Sequence, residues 1–124
     1  MAHKVHSPGF LALVAEVKTR VREVSVEEAA NAVGGAARLI DVREDNEWEA
    51  GHAKGGEHLG KGIIERDIET VVPDKDDRII LYCGGGYRAA LAADSLQKMG
   101  YTNVASMAGG WRAWLEANAP VQTE

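Results

Sequence analysis

Residues 78–88 set three structural instructions end to end. Arg78-Ile79-Ile80-Leu81-Tyr82 has the composition and length of a buried strand, and Cys83 follows it directly. Gly84-Gly85-Gly86 then removes every side chain that would keep the backbone from curling. Beyond Tyr87 and Arg88 the apolar positions Ala89, Ala92, Ala93, Leu96 and Met99 share one face of a helix that Gly100 stops. The chain must therefore pass from strand to helix through a flexible turn with its single cysteine at the junction.

The same alternation runs through the rest of the sequence. Phe10, Val14, Val17, Val21 and Val24 are spaced four, three, four and three apart, which predicts an amphipathic helix and lead-in over residues 10–24 behind a flexible segment, residues 1–9. Sustained heptads would run longer, so this helix is expected to pack on its own domain rather than form a dimer seam. Ser25-Val26-Glu27-Glu28 fits a capping box that opens a helix near residues 26–33, stopped by Gly34-Gly35. Arg38-Leu39-Ile40-Asp41-Val42 reads as a buried strand, and Asn46 to Ala50 as a short helix closed by Gly51 in the left-handed conformation. Ile63, Ile64, Ile68, Val71 and Val72 form a further helical pattern ahead of the solvated turn at Pro73–Asp77. Asn103 to Ser106 is short enough for an edge or final strand, and Gly109-Gly110 leads into a last helix with Trp111, Trp114 and Leu115. Strands alternating with helices predict an α/β fold with a mainly parallel sheet, and residues 25–124 form one domain.

Composition narrows the function. The 124 residues suit one domain, and a net charge of −5 spread along the chain offers no footprint for nucleic acid. An anionic small substrate has to be drawn by a local positive site, because the overall field opposes it. A lone cysteine excludes an internal disulfide and any metal site built on several thiolates. The apolar run Phe10–Ala15 ends at Glu16 and reads as helix rather than secretion signal, and no stretch nears the ~20 apolar residues that span a bilayer. A cytoplasmic, reducing setting is expected, where a free thiol persists.

In open α/β folds ligands gather beyond the carboxyl ends of the strands, which is where Cys83 falls. The N–H groups of Gly84, Gly85 and Gly86 can turn inward as an anion-binding nest, and the positive end of the following helix adds to that field. Arg88 offers a permanent charge, either as guanidinium partner to an oxyanion or as a brace acting on the loop carbonyls. Tyr87 either lines the mouth of the pocket or faces solvent.

A cysteine, four residues and an arginine between strand and helix resemble the active-site loop of the rhodanese family. Leu39-Ile40-Asp41-Val42-Arg43-Glu44 resembles the family's early strand, and Trp48-Glu49-Ala50-Gly51-His52 its aromatic-x-x-Gly-His segment. Met107-Ala108-Gly109-Gly110-Trp111-Arg112-Ala113-Trp114 resembles its closing element, so the likeness covers roughly residues 22–121. The resemblance implies a five-stranded, mainly parallel sheet flanked by helices, with the N-terminal helix as an extra. It also implies sulfur transfer from thiosulfate or a persulfide donor, through a Cys83 persulfide, to a thiol, cyanide or a sulfur-relay protein. No metal or organic cofactor is implied, and the chain would act as a monomer or homodimer. Gly84, Gly85, Gly86, Tyr87 and Arg88 would hold the sulfur, with Asp41, Arg43, His52, Gly109, Gly110 and Trp111 in support.

The sequence departs from the family pattern at Ala53-Lys54-Gly55-Gly56, where a proline-stiffened turn is usual, and at Gly84 and Ala89, where many relatives carry a basic and a hydroxyl residue. Those losses favour a persulfide over thiosulfate as donor. Related phosphatases place five residues between cysteine and arginine, so a phosphatase or arsenate reductase would want a larger loop. A rhodanese-like binding module without turnover is the remaining alternative. Gly55 to Gly62 nearly spells a phosphate-binding loop but lacks the final hydroxyl residue, so ATP is not expected. His52 and His58 stand six apart, which suits no familiar metal pair, and both read as structural. Asp41 and Arg43 read as an ion pair bracing the core. Trp111 is the tryptophan that the glycines ahead of it can bring near the loop.

Overall fold

The computed structural model describes residues 5–123. Its helices are α1 (Pro8–Lys18), α2 (Val26–Ala32), α3 (Asp45–Ala50), α4 (Ile64–Val71), α5 (Tyr87–Lys98) and α6 (Gly110–Glu116). Its strands are β1 (Arg22–Val24), β2 (Arg38–Asp41), β3 (His52–Ala53), β4 (Glu57–His58), β5 (Ile79–Tyr82), β6 (Val104–Met107) and β7 (Val121–Gln122). Five strands form one parallel sheet in the order β1-β6-β5-β2-β4, with Ile40 opposite Leu81 and Ile80 opposite Ala105. The cysteine-bearing strand β5 is thus the centre of the sheet. β3 and β7 pair antiparallel beside it, a small ladder with no sequence signal of its own.

Side chains of a strand alternate between faces, and the two faces of this sheet bury different layers. Ile40, Val42, Ile79, Leu81 and Cys83 pack with Ile64 and Ile68 of α4 and the small face of α5, Ala89, Ala92 and Ala93. Leu39, Ile80, Tyr82, Ala105 and Met107 pack with Val26 and Ala29 of α2 and Trp114 of α6. Trp114 is fully buried, and its indole N–H is satisfied by the carbonyl of Pro120 at 2.8 Å.

Some expectations need correction. The helix predicted over 10–24 ends at Lys18, and residues 22–24 are strand β1. Val21 and Val24 are both buried, but on opposite layers of the sheet, which a single helical stripe cannot achieve. β1 takes the sheet edge, so β6 is the last strand of the large sheet without being its edge. The Ser25 capping box forms only by half: Ser25 Oγ accepts from the Glu28 N–H at 3.1 Å, while Glu28 turns to Arg78 at 2.7 Å. Gly51 closes α3 at φ 153°, ψ 145°, away from the left-handed helical region.

α1 packs on α5 of its own chain, with Val14 and Val17 buried. Arg20, just past its end, bonds both carboxylate oxygens of Asp94 at 2.7 and 3.1 Å, and Gln97 donates to the Arg20 carbonyl at 3.1 Å. Residues 1–4 of the predicted flexible segment lie outside the described residues; Pro8 and Gly9 already belong to α1. Among the described residues no helix is long and apolar enough to cross a membrane.

Candidate active site

β5 delivers Cys83 to the carboxyl edge of the sheet, 1% exposed. Its Sγ accepts from two backbone N–H groups, Gly86 at 3.1 Å and Ala89 at 3.3 Å. Both belong to the turn and first turn of α5, where the helix leaves its N–H groups without intrahelical partners. The sulfur therefore sits at the positive end of the helix, in contact with two backbone donors. The turn requires glycine at Gly86, which adopts φ 100°.

The outer side of the loop is tied to α6. Trp111 N–H donates to the Cys83 carbonyl at 2.7 Å and Arg112 N–H to the Gly84 carbonyl at 3.2 Å. Two carbonyls are thereby turned away from the sulfur. This docking needs Gly110, where φ is 56° and a Cβ would fall on the Cys83 carbonyl oxygen.

The Arg88 guanidinium makes two bonds to the Glu47 carboxylate, at 2.9 and 3.3 Å. It stands beside the loop, with Nη2 3.0 Å from where a Cβ on Gly84 would be. Glu47 also accepts the Glu44 N–H at 2.9 Å, so one carboxylate joins the start of α3 to the start of α5. The bonds from Arg88 hold the Glu47 carboxyl below the usual carboxylate range, against a desolvation that works the other way. Glu47 was missed in the sequence; its signal was an acidic residue one position before the aromatic-x-x-Gly-His segment.

Asp41 and Arg43 form a buried ion pair. Asp41 is fully buried and receives Arg43 through its backbone N–H at 2.8 Å, Nε at 3.1 Å and Nη2 at 2.8 Å. Arg43 also donates to the Gly51 carbonyl at 2.7 Å and lies 4.7 Å from the Trp111 ring. Trp111 thus reaches the loop through its backbone, while its indole covers Arg43. Beside this pair, burial and the Asp41 charge push the Tyr82 phenol upward, and its oxygen accepts the Ala53 N–H at 3.0 Å.

His52 is buried, stacked 3.4 Å from Trp48, with Nδ1 2.9 Å from the Trp48 carbonyl. His58 Nε2 lies 2.9 Å from the Arg43 carbonyl. Both rings are occupied by backbone oxygens, and among the described residues no cluster of His, Cys, Asp and Glu is suited to a metal. Gly109 caps α6 at φ 75°. Tyr87 is half-buried against the N-terminal segment, with its ring 3.8 Å from where a Cβ on Gly85 would be.

The parallel α/β domain thus buries its cysteine in a cradle of backbone amides at the carboxyl edge of the sheet. The chain belongs to the family of the rhodanese-like domain, whose model matches residues 25–117. It is similar to thiosulfate sulfurtransferase GlpE of Haemophilus influenzae, 31% identical over 102 residues that cover 82% of this chain and 95% of the relative. It is also similar to thiosulfate sulfurtransferase PspE of Escherichia coli, 34% identical over 77 residues that cover 62% of this chain and 74% of that one. A solved structure from Rhodopseudomonas palustris, of a protein of unknown function termed a possible tyrosine phosphatase, superposes with a TM-score of 0.85 at 26% identity. That superposition covers 98% of this chain and 100% of the other.

Proposed function

We propose that this protein is a sulfurtransferase whose Cys83 thiolate carries sulfane sulfur. The observation that carries the reading is the seat of Sγ between the N–H groups of Gly86 and Ala89 at the start of α5. In the first half-reaction the Cys83 sulfur attacks the outer sulfur of thiosulfate or of a persulfide. The S–S bond of the donor breaks, and sulfite, or the donor's thiolate, leaves with the bonding pair. The resulting Cys83 persulfide is an anion with its charge on the outer sulfur, and the positive end of α5 favours it. In the second half-reaction cyanide or a thiolate, free or on a sulfur-relay protein, attacks the terminal sulfur and returns the Cys83 thiolate. Each step moves one electron pair, so the cycle balances without metal or organic cofactor.

A cysteine phosphatase is the competing chemistry. A phosphoryl group brings three oxygens around the cysteine, and here only four residues separate cysteine from arginine. The amide cradle offers room for one sulfur more readily than for a phosphoryl group.

Incubating the reduced protein with thiosulfate, or with glutathione persulfide, and measuring its intact mass tests the reading. One sulfur atom gained by the wild type, none by Cys83→Ser, and its loss on adding cyanide are the expected results. No gain with either donor, together with hydrolysis of an aryl phosphate that depends on Cys83, would overturn it in favour of the phosphatase. Failure in both assays leaves the binding module.

A further inference from the structure

The segment ahead of residue 25 lies outside the match to the rhodanese-like domain, yet its side chains reach the loop beside Cys83. They do so through Tyr87. The His6 ring meets Tyr87 edge-on, 4.6 Å between centroids, and Phe10 lies 6.0 Å away, tilted at 54°. From the far end of α1, the Lys18 ammonium stands over the same ring at 5.4 Å. His6 and Phe10 also touch each other, at 5.1 Å. One phenol ring is thus enclosed by two aromatic rings and a cation, contacts that fix aromatic orientation.

The clamp stands on a rigid base. α1 is fastened to α5 by Val14, Val17 and the paired bonds from Arg20 to Asp94. The Cδ2–Cε2 edge of the Tyr87 ring lies against Gly85, 3.8 Å from where a Cβ would project. Gly84-Gly85-Gly86 has no side chains with which to stiffen itself. α6 holds it on one side through the Cys83 and Gly84 carbonyls, and Tyr87 covers it on the other. In a chain of net charge −5, Lys18 also sets a cation beside this wall, held in place by Glu23 at 3.3 Å.

We infer that α1 and His6 ahead of it are a positioning element of the active site: His6, Phe10 and Lys18 hold Tyr87 against the glycine loop and so set the width and charge of the entrance to Cys83. The inference rests on the sulfurtransferase reading only for its kinetic consequence, since the entrance can be probed without sulfur transfer. Small anionic sulfur donors are the substrates such an entrance suits.

The test uses the full chain with Phe10→Ala, Tyr87→Leu, Tyr87→Phe and Lys18→Gln, and Leu13→Ala as a control on the exposed flank of α1. Two rates are measured well below each variant's Tm: alkylation of Cys83 by neutral iodoacetamide and anionic iodoacetate, and kcat/KM for sulfur transfer from thiosulfate. Phe10→Ala and Tyr87→Leu should speed iodoacetamide alkylation and lower kcat/KM, each about tenfold, the scale of a small misplacement at a reacting centre. Tyr87→Phe keeps the ring and should lose less than Tyr87→Leu. Lys18→Gln should lower the iodoacetate-to-iodoacetamide ratio and raise the KM for thiosulfate more than it lowers kcat. Alkylation rates within about twofold of wild type in both Phe10→Ala and Tyr87→Leu, as for Leu13→Ala, would overturn the inference and leave α1 a stabilising helix. A wild type that alkylates at Cys83 but gains no sulfur would remove the sulfurtransferase reading, with the alkylation series still deciding the clamp.

Discussion

Replacing Glu47 with glutamine isolates the ion pair that braces the loop. The amide keeps the shape of the carboxylate and an oxygen for the Glu44 N–H, but it loses the charge facing Arg88 and turns an NH2 donor toward one of the two guanidinium N–H groups. Both side chains of the pair are 32% exposed, and two bonds join them. Fully exposed pairs contribute about 0.2–1 kcal/mol, whereas removing one partner of a buried pair costs about 3–5 kcal/mol. A pair screened by water over a third of its surface belongs near the bottom of that interval, at about 1–2 kcal/mol. Glu47→Ala also loses the contact to Glu44 N–H and should cost about 1 kcal/mol more. Urea denaturation reads these differences. The sulfur-transfer assay should show kcat/KM down about tenfold, because the freed guanidinium is no longer held beside the loop.

The pH dependence gives the same pair an independent signature. Arg88 lowers the Glu47 pKa in the folded state, so the stabilisation is fully present above the unfolded value of about 4.3. It is lost as pH falls through the lower, folded value. The stability gap between wild type and Glu47→Gln should therefore be constant above about pH 5 and close progressively below about pH 4. A gap under about 0.3 kcal/mol at neutral pH, or one that does not narrow in acid, would refute the reasoning.

Two further substitutions test the loop and the sheet. Gly110→Ala forces a Cβ onto the Cys83 carbonyl at φ 56°, and should cost about 2–5 kcal/mol in urea while slowing persulfide formation; a loss below about 1 kcal/mol would mean that α6 can retreat freely. Ser106 lies in β6 with its hydroxyl buried and without a hydrogen-bond partner among the described residues, so Ser106→Ala should raise stability by about 1 kcal/mol; a clear loss in thermal unfolding would show a partner for that hydroxyl.

Much of the fold was legible because its signals are local. The run Ile79–Tyr82 is a strand wherever it sits, and the spacing of Ala89, Ala92, Ala93 and Leu96 is helical on any sheet. What the sequence hid depended on partners distant in the chain. Val21 and Val24 continue the spacing of α1 faithfully, and only the pairing of Arg22–Val24 with Ala105–Met107 makes residues 22–24 a strand. β3 and β7 have two residues each, too few for any period to register. At the site, Cys83 and the glycines were visible because backbone chemistry is written in consecutive residues. The engagement of Arg88 was not, because Glu47 lies 41 residues away and either end of that pair alone could find several partners.

The charge arrangement around the loop gives that engagement a functional meaning. Arg88 is matched by Glu47 and Arg43 by Asp41, which offsets part of the positive charge beside the loop, while Arg88 still acts on Cys83 through space. The groups in direct contact with the sulfur are fixed dipoles: the two N–H groups at 3.1 and 3.3 Å at the start of α5. Dipoles held at bonding distance act over a few ångströms and cost no rearrangement when charge moves onto the sulfur. On the sulfurtransferase reading, such dipoles suit a group that must both take sulfur and release it. A free guanidinium at the same point would instead favour the oxyanion of a departing sulfite and hold it back. The paired arginine thus fits a carrier better than it fits a tight binder of oxyanions.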